Sequence, residues 1–148
     1  MLGALGVGVR RLEDLVAWQL ADSFKNEVYR LVRASPSAAG DFAYRDQLRQ
    51  SAASVGMNVG EGFYRFGRRE FVRFLSIALG SLGEATLWLQ DGVQRGHFRS
   101  EDCAEAFALS KRCRGATLRL LQSLSDKRMG GAPEPGITKR AQGPKKLR

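Results

Sequence analysis

Four stretches of helical periodicity, separated by breaks only a few residues long, constrain this chain more than any other feature. The first runs from 12 to 34, with Leu15, Trp18, Ala21, Phe24, Val28, Leu31 and Val32 recurring at three- and four-residue steps. Ser35-Pro36-Ser37 ends it, because the residue before a proline is pushed out of the helical region, and Gly40-Asp41 completes the break. The second, 42 to 64, sets Leu48, Ala52, Val55, Val59 and Gly62 on one stripe beside a polar stripe of Gln47, Ser51, Ser54, Asn58 and Glu61. After Phe66-Gly67, the third runs from 68 to 95 and is expected to turn Phe71, Phe74, Ile77, Ala78, Ser81, Leu82, Ala85, Trp88 and Leu89 inward. Gly96-His97-Phe98 breaks it. Ser100 is the expected N-cap of the fourth, with Glu101 and Asp102 placed where negative charge suits the helix dipole. That helix, 100 to 126, keeps Ala106, Leu109, Cys113, Ala116, Leu120 and Leu124 on one face.

Helices joined by such short turns have no room to cross the bundle, so they become antiparallel neighbours. The expected fold is all-α, an up-down-up-down four-helix bundle over residues 12–126. A chain of 148 residues can bury one such core without disulfide or metal staples. Met1 to Val9 is apolar and Gly-rich but lacks the leading charges and cleavage site of a secretory signal, so residues 1–11 are expected as a flexible arm. Residues 127–148 gather glycines and prolines among scattered charges and are expected to be disordered, since they cannot bury enough apolar surface to offset ordering.

Charge matters here by its placement. Of the net +9, the stretch 127–148 supplies +6, from seven basic residues against Glu134, and leaves +3 for the rest. The tail would therefore be drawn to any polyanion, whereas the body neither requires nor excludes one. Cys103 and Cys113 lie ten residues apart in one helix, about 15 Å between Cα atoms, too far to bridge. With His97 as the sole histidine, zinc-finger and disulfide frameworks are excluded, and reduced buried thiols in a cytoplasmic protein are the plain reading. No uncharged run approaches the roughly 20 residues of a spanning helix, so no membrane partner is expected.

Three groups of residues break the simple pattern. Gly56, Gly60, Gly62, Gly80 and Gly83 lie inside the second and third helices, where each costs about 1 kcal/mol against alanine. Close approach of helix backbones would offset this, between these two helices or against another subunit. Ser81 and Glu84 continue the line Phe74, Ile77, Ser81, Glu84, Trp88, which would aim a carboxylate at the core. A buried charge must be paired or hydrogen-bonded, and Asn58 and Glu61 on the neighbouring helix would complete a structural polar network. A carboxylate metal site would need matching ligands from the first and fourth helices, which offer none, so no metal, cofactor or catalytic residue is assigned. Arg65, Arg68, Arg69 and Arg73 cluster around the turn between the second and third helices with Tyr64 and Phe66 interleaved. Guanidinium forks match phosphate geometry and aromatics stack on exposed bases, making this turn the candidate nucleic-acid contact, assisted by Lys139, Arg140, Lys145 and Lys146 of the tail. Arg112, Arg114 and Arg119 read as a solvated face.

The segment Leu12-Glu13-Asp14-Leu15-Val16-Ala17-Trp18-Gln19, then Gln47-Leu48-Arg49 and Ser54-Val55-Gly56-Met57-Asn58-Val59-Gly60-Glu61-Gly62, resembles the bacterial four helix bundle protein family. Phe71 and the run Phe74 to Glu84 fit the same pattern, which covers 12–125 in order. The family is also called S23, or 23S rRNA-intervening-sequence protein. The resemblance implies a homo-oligomer, a ring of five bundles, related to the accessory variability proteins of diversity-generating retroelements, which bind nucleic acid and a reverse transcriptase. A non-catalytic scaffold that binds RNA or DNA, as an accessory to a reverse transcriptase or an rRNA-associated element, is the expectation. The alternative is a protein-interaction adaptor with no intrinsic nucleic-acid binding. The basic tail lies outside the family pattern, so its role rests on charge alone.

Overall fold

A computed structural model describes residues 9–65 and 67–129. Five α-helices follow in order: α1 (Val16–Ala34), α2 (Pro36–Gly40), α3 (Phe42–Tyr64), α4 (Arg68–Gln94) and α5 (Ala104–Met129), with short 3-10 turns at Leu12–Asp14 and Ser100–Cys103. The four long helices close a ring of neighbours, α1 on α3, α3 on α4, α4 on α5 and α5 on α1. That is the expected up-down-up-down bundle.

The connections follow from local chemistry. Ser35 ends α1 in an extended conformation, then its hydroxyl accepts from the Ala38 backbone N–H at 3.2 Å and Pro36 occupies the first helical position. Proline is tolerated there because its missing N–H has no helical partner to lose. The break predicted at Ser35-Pro36-Ser37 thus contains a helix of its own. Gly67 heads α4 at φ +95°, which non-glycine residues rarely adopt, and Gly96 follows α4 at φ +80°. Ser100, expected as an N-cap, makes no capping bond; it lies inside the 3-10 turn that leads into α5. The last helix runs to Met129, three residues into the stretch expected as tail. At the other end Val9, expected in the arm, packs partly against the core. The remainder of the expected arm, 1–8, and of the expected tail, 130–148, lie outside the described residues.

Every predicted inward residue of α3 is buried, as are most of those of α1 and α5. On α4 five of the nine residues expected inward are buried, joined by Leu75, and the other four lie on the flank or outside. Phe71, Leu75, Ala78, Leu82, Ala85 and Leu89 are buried, Phe74, Ser81 and Trp88 are half-buried on the flank, and Ile77 and Glu84 are exposed. The expected aim of the Glu84 carboxylate at the core is therefore corrected: two heptad-like lines run side by side on this helix, and the fully apolar one faces inward. Of the described helices α4 alone is long and apolar enough to cross a membrane, by length and composition only. Its buried line, from Phe71 to Leu89, faces the bundle core. Among the described residues, no buried side-chain nitrogen or oxygen lacks a hydrogen-bond partner.

Candidate nucleic-acid interface

The α3–α4 turn brings Arg65 and Arg73 to one ring. Their guanidinium carbons lie 5.1 Å and 5.3 Å from the centroid of Phe74, so two cations share one aromatic face system. Each also has a carboxylate partner on its own helix. Arg65 pairs with Glu61 at 2.8 Å and Arg73 with Glu70 at 3.5 Å, all four groups substantially exposed. Exposed pairs of this kind are worth about 0–1 kcal/mol, so they orient the forks without committing them. Arg69 is exposed, Arg68 is half-buried, and Tyr64 stands exposed with its ring edge-on to Phe63 at 5.1 Å. Phe66 and the tail residues Lys139, Arg140, Lys145 and Lys146 lie outside the described residues.

The turn is drawn tight by Gly62. A Cβ there would lie 2.7 Å from Phe71 Cδ2 and 2.8 Å from Phe74 Cβ, so α3 and α4 meet backbone to side chain at the base of the arginine cluster. This places the Phe74 ring where both guanidinium groups reach it. A Cβ at Gly60 would lie 3.2 Å from Leu12 Cδ2, whereas among the described residues nothing comes within 4 Å of where a Cβ would stand at Gly80 and Gly83.

The expected polar network forms in part, with a different hub. Ser54 and Ser81 hydroxyls meet at 2.9 Å across α3 and α4, and the Asn58 amide donates to the Ser54 carbonyl at 2.8 Å and to its hydroxyl at 2.9 Å. Glu61 and Glu84 are not members. Glu61 faces solvent with Arg65, and Glu84 accepts from the Trp88 indole N–H one turn along its own helix at 3.3 Å. Among the described residues, no three His, Cys, Asp or Glu side chains converge to hold a metal.

A second polar cluster, at the opposite end of the bundle, carried no local sequence signal. His97 Nε2 donates to Asp41 at 2.9 Å, and its Nδ1 lies 2.9 Å from the Ser37 hydroxyl. The Ser35 hydroxyl donates to the His97 carbonyl at 2.7 Å. The His97 hydrogen bond, helped by the Tyr44 backbone N–H and Arg95, holds the Asp41 carboxyl below its ordinary range. Beneath it the Tyr44 phenol donates to the Trp88 carbonyl at 2.6 Å, in space that a side chain at Gly92 would fill. Partners separated by more than 40 residues give no spacing to read.

Comparison with known proteins places the chain among others of this shape. Residues 13–116 match the model of the 23S rRNA-intervening sequence protein family. The fold is similar to the crystal structure of a protein of unknown function from the S23 ribosomal protein family of Bacteroides thetaiotaomicron VPI-5482. The TM-score is 0.55 at 19% identity, over 76% of this chain and 97% of that one. No curated protein matches in sequence.

Proposed function

The chain belongs to the 23S rRNA-intervening sequence protein family, and from that premise we propose that it is a non-catalytic, homo-oligomeric scaffold that binds RNA or DNA in the cytoplasm. The observation that carries the binding is the pair of guanidinium groups held over Phe74, with Arg69 exposed beside them. Forks already oriented on a ring lose little freedom when they meet a phosphate, and exposed carboxylate partners give way to a stronger anion. Lys139, Arg140, Lys145 and Lys146 add nonspecific attraction through their charge.

Self-association is supported by the outer face of α4. Gly80 and Gly83 carry the helix-interior cost of glycine with no close neighbour among the described residues, and exposed Ile77 and Leu87 flank them. A second copy packed there would supply the missing contact, and a ring of five is the assembly this reading adopts. The same face is what an adaptor would offer to a different protein, a reverse transcriptase among them.

The test is binding of a labelled single-stranded RNA to the full chain at low salt, beside two variants. Replacing Arg65, Arg68, Arg69 and Arg73 by Ala is expected to weaken binding at least tenfold. Replacing Lys139, Arg140, Lys145 and Lys146 by Gln is expected to weaken it less. Wild-type affinity in the first variant would overturn the turn as the interface.

A further inference from the structure

Away from the turn, α1 presents Lys25, Tyr29 and Arg33 at four-residue spacing, so the three share one face of the helix. The antiparallel α3 presents Arg45 and Arg49 at the same spacing alongside. Tyr29 packs partly against the core, with the Arg49 guanidinium carbon 5.3 Å from its ring centroid and the Lys25 ammonium at 6.0 Å. These cations are not equivalent. Lys25 is held by Asp22 at 2.8 Å, and Arg45 by Asp46 at 3.2 Å and by the Ala39 carbonyl at 3.0 Å. Arg49 and Arg33 have no carboxylate partner among the described residues. The Arg49 fork is thus positioned by a ring while its N–H donors stay unspent on the described residues.

Tyr29, Asp46, Arg49, Gln50 and Ala53 line a shallow hollow of about 230 Å3. Its walls differ in chemistry. Arg49 offers donors to a phosphate, Tyr29 an aromatic surface, Gln50 a carboxamide, and Asp46 a carboxylate whose Oδ1 is paired with Arg45 and whose other oxygen can accept from an amino group. Only a ligand that carries an anion and an amino-bearing ring together uses all of them. We propose that this hollow takes one nucleotide of a single strand, its phosphate on Arg49 and an amino-bearing base against Tyr29, Gln50 and Asp46. Paired duplex bases are stacked away from such a surface, whereas unpaired ones can be splayed onto it. The site rests on the nucleic-acid reading above and adds to it a second contact with base preference, which the turn arginines lack.

The experiment is fluorescence anisotropy of the full chain with labelled ten-nucleotide oligo(C) and oligo(U) at one fixed salt concentration. Oligo(C) should bind more tightly than oligo(U), because cytosine donates an amino group and uracil has none. Arg49→Ala and Tyr29→Ala should each weaken oligo(C) by about tenfold, Tyr29→Phe by less than twofold, and Asp46→Ala, which removes the acceptor, should erase the difference between the oligomers. Arg49 is exposed, so its variant decides the matter if Tyr29→Ala fails to fold. Unchanged oligo(C) affinity in Arg49→Ala, with the Arg65, Arg68, Arg69 and Arg73 variant impaired, would overturn the hollow and leave the turn standing. Absence of binding by the wild-type chain would overturn both.

Discussion

Gly62 and Gly80 lie on adjacent helices and answer to opposite pressures. A methyl group at Gly62 would press on Phe71 and Phe74 at under 3 Å, so Gly62→Ala is expected to destabilise the fold by about 1–3 kcal/mol in urea titration. At Gly80 the space within the described chain is open, and Gly80→Ala is expected to raise the stability of the single bundle by up to about 1 kcal/mol while weakening any packing of a second copy on that face. The sequence marked both glycines as anomalies, and only the packing separates them. The cysteines were more legible. Burial pushes both thiols up to about 11, so Cys103 and Cys113 should resist a disulfide reagent at pH 8 until denaturant is added; rapid modification of the folded chain would contradict their burial. Asp41 sets a pH dependence. Its folded pKa lies below the ordinary value near 3.9, so it contributes stability at neutral pH that is lost as pH falls through the folded value. Asp41→Asn should therefore lower Tm at pH 7, with the deficit closing below about pH 4.

At the scale of elements, helix existence was readable and helix termini less so. Ser35 and Ser100 look alike as capping serines in sequence, yet Ser35 caps α2 and also ties it to the His97 carbonyl, while Ser100 caps nothing. Ser35→Ala is expected to cost about 1–2 kcal/mol and Ser100→Ala less than about 0.5 kcal/mol, measured by chemical denaturation. The difference comes from the turn after α4, whose path Gly96 and His97 determine through contacts distant in sequence. The outer edge of the α4 core face escaped for a related reason. Phe74, Ile77 and Trp88 are as apolar as Leu75, Ala78 and Leu89, and hydrophobic spacing alone does not choose between adjacent lines. Asn58 and Ser81 were legible as a cross-helix pair, but Ser54 was needed to join them, because neither side chain spans the gap alone. Glu61 and Glu84 fell outside because solvent, Arg65 and Trp88 were within reach.

For the whole molecule, the bundle was legible because periodicity and short turns agree, and the interface only in outline. Four turn arginines could be named from sequence, but not that Phe74 would gather two of them, nor that Arg49 would stand on Tyr29. The proposed assembly rests on what the described residues leave exposed on α4. Light scattering should give a mass well above the 16.3 kDa of one chain, and Gly83→Leu, which would crowd that face, should lower it. The central claim is that the bundle itself, and not only its basic tail, holds phosphates. The salt dependence of single-stranded RNA binding tests this most directly, since each neutralised phosphate contributes about 0.7 to the slope of log K against log salt. The Arg65, Arg68, Arg69 and Arg73 alanine variant is expected to lose about 2 to 3 from that slope, whereas an unchanged slope, or no binding by the wild type at low salt, would contradict it.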